Sequence, residues 1–378
     1  MAGQEGTRSA EVKDHFDLIV VGAGQAGLAI GYYVAQRGYR FTIVEAAAEP
    51  GAAWRGRWGS LKLFTPVRYN SLPGLPFPGD PNSYPGRDEV ANYLAAYAAR
   101  HQLPIEFNTR VRSIRRRENG YLVELDDRAY ESDQVVVATG PFQVPNVPEI
   151  AKRLDSEVVQ FHSVDYRSPE QVPPGPVLVV GGGNTGYQIT EELACTHEVH
   201  LSIGSRQLPL PQRILGRDLF WVLETTGLMA KTKDSRIGRR AQGRDTLVGS
   251  SPRALRRRHG VQLHPRVTDA SGTEVTFSDG TRLTVTSVIW ATGFKLDLSW
   301  IDLPVFDEQG RVVHRRGVTP CPGFYFLGLT WQHTRGSALL GWVKDDAEYI
   351  AQQIDSFAGG PPSHAKPAER ASAVAQRS

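Results

Sequence analysis

Two glycine-rich runs in this chain have the spacing to hold phosphate groups. The first reads Gly22-Ala23-Gly24-Gln25-Ala26-Gly27. Gly22 permits a tight turn out of a strand, Gly24 lets the backbone come close to a pyrophosphate, and Gly27 lets the following helix pack against the sheet. A helix that starts there offers free N–H groups and roughly half a positive charge to an anion. Glu45 stands at the end of the next expected strand, where a carboxylate accepts ribose hydroxyls. Gly31 adds a further small residue on the same helix. The combination predicts a dinucleotide site.

The second run reads Gly181-Gly182-Gly183-Asn184-Thr185-Gly186. After the strand that follows it, the chain carries Ser205-Arg206 where the first unit has its acid. Serine and arginine bind a 2′-phosphate by hydrogen bond and charge, and a carboxylate would repel it. The expected nucleotide is therefore NADPH rather than NADH, with an incidental surface arginine as the alternative.

Each run needs a strand before it and a helix behind it. Residues 16–21, Phe-Asp-Leu-Ile-Val-Val, predict a buried parallel strand. A helix is expected from Ala26 to about Arg37, stopped by Gly38, with a strand over 40–45. The same order repeats at 177–204, with a strand at 177–180, a helix over 185–194 and a strand at 198–203. This is a duplicated architecture rather than a short-period repeat. Two further apolar strands end alike, at Ala138-Thr139-Gly140 and Ala291-Thr292-Gly293. A hairpin-like stretch precedes each, 120–130 and 274–285, the second with the turn Ser278-Asp279-Gly280. Pro-rich connectors stand at 141–148 and 173–176. Residues 1–15 read as a polar, disordered lead-in and 358–378 as a disordered tail.

Two such loops and two Ala-Thr-Gly strand ends resemble the flavoproteins with two dinucleotide-binding domains, in which the first loop holds FAD and the second NAD(P)H. That resemblance implies an α/β fold of two Rossmann-like domains, the NADPH domain inserted into the FAD domain. The expected bounds are 14–150 and 288–357 for the two parts of the FAD domain and 151–287 for the NADPH domain. Thr139, Gly140, Thr292 and Gly293 resemble the segments that cross between domains. Pro322-Gly-Phe-Tyr-Phe-Leu-Gly328 resembles the strand that closes over the flavin, and a helix over 338–354 would complete the FAD domain.

Within that group the chain resembles class B flavin monooxygenases, particularly YUCCA-type and CzcO-like proteins. Gly51-Ala-Ala-Trp54 is similar to the family's Gly-Gly-x-Trp, and Leu61-Lys-Leu-Phe-Thr-Pro66 to the loop after it. His162-Ser-Val-Asp-Tyr166 is similar to the second half of the FxGxxxHxxxY/F motif, and Ala291-Thr-Gly-Phe294 to the ATGY/F turn. The motif's glycine is Val158 here and its phenylalanine Ser156; the active-site Asn of animal-type members is absent at Thr65–Pro66, and Asn70 is out of register. The resemblance places Trp331, His333 and Arg335 just after the flavin-closing strand, lining the substrate site or contacting FAD. It puts His162 and Tyr166 between domains, setting cofactor geometry or packing. Trp54, Arg55 and Trp58 would border the flavin ring or pyrophosphate, or simply pack. It implies a small-molecule substrate, O2 as co-substrate and a C4a-(hydro)peroxyflavin, and it leaves a homodimer open.

The rest of the composition narrows the alternatives. Cys195 and Cys321 form no CxxC, which disfavours a dithiol reductase. An NADPH-dependent flavin reductase or oxidase and a redox-responsive regulator remain as rivals. Net charge is +3, too small to argue for a nucleic-acid partner. A basic run from Arg236 through Arg239, Arg240, Arg244, Arg253, Arg256 and Arg257 to Arg258 reads as a solvated face, with help to a phosphorylated cofactor as the lesser reading. No Ser/His/Asp grouping or metal-ligand spacing stands out. There is no apolar run of membrane-spanning length and no apolar leader at the N-terminus, so the expectation is a cytoplasmic enzyme without membrane insertion.

Overall fold

The structure is a computed structural model and describes residues 12–205, 208–242 and 246–360. Its first sheet is built on the strand Val12–Val21, in which Leu18, Ile19 and Val20 are fully buried. That strand runs parallel to Phe41–Val44 on one side and to Ala129–Val137 on the other. Ile105–Glu106 extends the sheet beyond Phe41–Val44, and Phe324–Phe326 lies beside the end of Ala129–Val137. Continuous apolar strands are what a sheet covered on both faces requires. The helices Gln25–Gln36, Arg87–Arg100 and Val343–Ala358 cover one face. The antiparallel strands Val111–Arg117 and Gly120–Leu125, which continue into Ala129–Val137, cover the other.

The second sheet is wholly parallel. Pro176–Val180 lies between Glu198–Ser202 and Ser287–Trp290, with Gln262–His264 and Val159–His162 at the edges. Both units follow one order: strand, glycine loop, helix, strand, third parallel strand, antiparallel excursion, and a strand ending Ala-Thr-Gly. In the second unit the excursion is Val267–Ser271, Glu274–Phe277 and Arg282–Thr284. Residues 208–260 between its second and third strands hold the helices Leu219–Thr225, Arg236–Ala241 and Pro252–His259.

Three elements differ from the sequence reading. Val12–Val21 begins within the expected lead-in, because Val12 to Phe16 pair with 129–132 and Asp14 bonds Arg40. Ser287–Trp290 joins the second sheet, so the chain returns to the first after Trp290 rather than at 288; an apolar run ending Ala-Thr-Gly carries no local mark of which sheet it enters. The last helix starts at Val343, because residues 335–338 form a 3₁₀ turn capped by the Thr334 hydroxyl. It stops where Gly359 takes a left-handed conformation, and residues 361–378 of the expected tail lie outside the described residues. Among the described residues no helix is long and apolar enough to cross a membrane.

Candidate functional site

The two glycine loops are built on the same contacts. A Cβ on Gly22 would stand 2.9 Å from the Ala138 carbonyl oxygen, and one on Gly181 would stand 2.1 Å from that of Ala291. Each loop therefore turns tightly over the alanine of its own Ala-Thr-Gly strand. A Cβ on Gly27 would meet the Gly22 oxygen at 1.8 Å, and one on Gly186 the Gly181 oxygen at 2.0 Å. The middle glycines behave differently: a Cβ on Gly24 or Gly183 would meet nothing within 4 Å. Both project into one cleft of about 1440 Å³ that lies between the sheets. That exceeds the few hundred to about 1,000 Å³ of a pocket for one small ligand.

On the first wall, the Ala23 and Ala47 amides donate to the Glu45 carboxylate at 2.6 and 2.8 Å, fixing it at the cleft. Gln25 donates to the Ala338 carbonyl at 2.9 Å, and Gly328 (φ +84°) comes so close to Ala26 that a Cβ there would stand 2.9 Å from the Ala26 methyl. On the second wall, Thr185 lines the cleft, and the Asn184 amide bonds the Thr246 carbonyl and the Val248 N–H. Those two bonds fix the orientation of the Asn184 side chain and use one of its two N–H donors. Ser205 lines the cleft; Arg206 lies outside the described residues. Arg266, which the sequence did not single out, lines it too and donates to the Gly204 carbonyl. Arg236, Arg239, Arg240, Arg253, Arg256, Arg257 and Arg258 are exposed and none lines the cleft; Arg244 lies outside the described residues.

The crossing segments run side by side. Val144–Pro145 pairs antiparallel with Phe294–Lys295, and the Asn146 side chain donates to the Thr292 carbonyl. Gln143 donates to Thr139 Oγ1 at 2.8 Å and to the Gly140 carbonyl at 3.0 Å, and accepts from the Asp297 amide. His162 is buried and does not line the cleft. Its Nε2 donates to the Gly293 carbonyl at 2.9 Å, its Nδ1 accepts from the Val164 amide, and Phe294 packs edge-on against it. Burial holds its pKa below the ordinary value, so the neutral ring ties the linker to the second crossing turn. Tyr166 lies deeper and donates to Glu192.

Residues 19–209 match the pyridine nucleotide-disulphide oxidoreductase family. The chain is 43% identical over 340 residues to the CzcO-like oxidoreductase of Geobacillus kaustophilus (strain HTA426), covering 89% of this chain and 98% of that one. It is 27% identical to the probable indole-3-pyruvate monooxygenase YUCCA9 of Arabidopsis thaliana, covering 89% and 88%. The solved structure of a flavin-containing monooxygenase from Stenotrophomonas maltophilia is similar at a TM-score of 0.78 and 30% identity, covering 92% of this chain and all of that one. The chain belongs to the class B flavin monooxygenase family.

A member of this family is an oxidoreductase with flavin and nicotinamide nucleotide cofactors, and the residues present fit them. Two glycine cradles stand open at helix N-termini. On the wall between them Trp58 is 4% exposed, and its indole N–H has no hydrogen-bond partner among the described residues. Trp54 and Trp58 line the cleft, but Arg55 does not: it turns to Glu49 at 2.7 Å and Asp88 at 3.6 Å, and Arg57 takes the place on the wall. Trp331 and Arg335 also line it. Trp331 holds φ at +57°, a strained conformation for a bulky residue of the kind that collects at functional sites. His333 does not reach the cleft; its carbonyl accepts from the Lys233 amide. Thr65 is buried on the wall and donates to Asn70 Oδ1, whose amide nitrogen donates to the Thr65 and Pro66 carbonyls. The nearby asparagine thus orients a threonine instead of presenting its own amide.

Proposed function

We propose that this protein uses FAD, NADPH and O2 to insert one oxygen atom into a small organic substrate. The observation that carries the reading is the shared cleft: two open cradles face one space, and neither cysteine lines it. Cys195 is exposed, and Cys321 is buried beneath the first sheet. No dithiol stands where reduction of a disulfide would need one.

When bound, the flavin would accept hydride from NADPH and activate oxygen; the chain supplies position, charge and exclusion of water. Gly24 and Gly183, with the helix N-termini behind them, would hold the two pyrophosphates, and Glu45 the FAD ribose. Ser205 and Arg206 would hold the 2′-phosphate. His162, Asn146 and Gln143 keep the two crossing turns in register and so set the separation of the cradles. Leu63, Phe64, Leu339 and Leu340 form an apolar stretch of wall beside Thr65, Trp331 and Arg335, suited to keep water from the reacting centre.

One observation favours a second reading, an NADPH-dependent reductase or oxidase that passes electrons on without oxygenation: the Asn70 amide is fully spent and cannot act in the cleft. The two are separated by turning over the FAD-loaded protein with NADPH and ¹⁸O2 on sulfides, amines, ketones and 2-oxo acids. Monooxygenation gives one ¹⁸O atom in product per NADPH consumed with at least one class. Stoichiometric hydrogen peroxide with every class establishes the reductase or oxidase instead.

A further inference from the structure

Among the described residues, three cations of the cleft lining, Arg57, Lys62 and Arg110, have side chains with no hydrogen bond and no ion pair; Lys62 and Arg110 are exposed, and Arg57 is partly buried. Arg57 lies between Trp54 and Trp58 on the wall of the first domain, partly buried. Among the described residues its guanidinium makes no hydrogen bond and no ion pair. The neighbouring arginines are satisfied: Arg55 by Glu49, and Arg87 by Asp88 and by the backbone carbonyl of Arg57 itself. What holds Arg57 is aromatic. Its guanidinium carbon stands 5.1 Å from the ring centre of Phe294 and 5.9 Å from that of Phe142, and these two rings pack edge to face at 5.6 Å. Phe142 follows the first crossing turn and Phe294 the second. The charge therefore sits where the two domains meet, beside Gly140 and Gly293, at which a Cβ would meet nothing within 4 Å.

We propose that Arg57 is an anion-binding residue of the cleft, taking a phosphate or carboxylate oxyanion of the ligand that lies across the two crossing turns. A planar guanidinium held by aromatic rings alone has N–H donors left over, and its fork matches paired anionic oxygens. Two aromatic faces stabilise the cation but accept none of its five N–H donors. Burial, and then the nearby charge of Arg167, disfavour its charged form, a cost that a bound anion offsets. The anion has two possible sources, the nicotinamide nucleotide's pyrophosphate and a substrate carboxylate. The proposal rests on the reading that the cleft holds both dinucleotides.

The test titrates FAD-loaded protein with NADP⁺, and separately with benzoate and its neutral analogue benzamide, following the flavin spectrum and the heat of binding. Arg57→Gln removes the charge, and Arg57→Lys keeps it without the fork. If the source is the nucleotide, Arg57→Gln weakens NADP⁺ binding about ten- to hundredfold, the worth of one or two charge-assisted contacts, and leaves benzoate unaffected. If it is a substrate carboxylate, benzoate loses its advantage over benzamide by a similar factor and NADP⁺ does not. In either case Arg57→Lys recovers part of the loss, and added salt weakens binding more in the unaltered protein than in Arg57→Gln. Unchanged affinity for both anions in Arg57→Gln, at normal flavin content and melting temperature, overturns the proposal. So does an unaltered protein that holds FAD but binds neither anion. A protein that retains no FAD refutes the reading of the cleft itself, and the proposal with it.

Discussion

Gly24→Asp should empty the first cradle while leaving the fold intact. Gly24 is the N-cap of Gln25–Gln36, with extended φ −73° and ψ −175° and no side-chain cap. Aspartate adopts that conformation readily, and the site has open space for it. The new carboxylate would cap the helix, a gain of a few tenths of a kcal/mol over glycine. It would also occupy the N–H groups that a pyrophosphate needs and place a like charge beside it. Two unit charges 4 Å apart repel by about 4 kcal/mol at an effective dielectric constant near 20. That repulsion corresponds to nearly three orders of magnitude in FAD affinity. The measurements are flavin absorbance per chain after purification, FAD affinity on reconstitution, and thermal melting of flavin-free protein. Gly27→Ala is the contrast, because its Cβ would overlap the Gly22 oxygen at 1.8 Å. It should cost about 1–3 kcal/mol or more in folding, through displaced backbone. Full flavin content in Gly24→Asp, or a melting loss there as large as in Gly27→Ala, would refute the assignment of these two glycines.

Arg206→Ala should raise KM for NADPH about tenfold or more, the worth of one charge-assisted contact, with little change for NADH; equal kinetics with both nucleotides in the unaltered protein would oppose the 2′-phosphate assignment. Arg335→Ala should lower the yield of oxygenated product per NADPH and shorten any transient absorbing species seen on mixing reduced protein with O2, whereas His333→Ala, outside the cleft lining, should do neither; equal uncoupling by both would contradict the geometry. His314 is held neutral, its pKa lowered to about 4 chiefly by burial, and its Nδ1 accepts from the Gly317 amide. A lowered folded-state value means that its contribution to stability is complete above the unfolded value near 6.5 and is lost as pH falls from there towards 4. Melting temperature should therefore drop over that window, and His314→Gln should flatten the drop; an identical pH profile in the variant would rule out this histidine as a source.

Both cradles were legible because a strand, a tight turn and a helix start are decided within about ten residues. Gly22 to Gly27 and Gly181 to Gly186 need only their own spacing to declare the turn, the open backbone and the close helix. Glu45 and Ser205 follow from counting to the end of the next strand. The contacts that make these loops one site were not legible in that way. Nothing local to Ser287–Trp290 says which sheet it enters, because any buried parallel neighbour satisfies an apolar run. Nothing in Trp54-Arg55-Gly56-Arg57-Trp58 says that the first arginine turns to Glu49 and the second faces the cleft. Asn70 reads as a displaced amide until Thr65 closes its hydrogen bonds, and His333 reads as a cleft residue until Lys233, a hundred positions earlier, accounts for its backbone. The sequence alone determined two strand–glycine loop–helix units, their order and the absence of a dithiol motif, since each is written in residues close together in the chain. The tertiary structure decided which side chains share the cleft, because a side chain's direction is set by partners that only folding brings beside it.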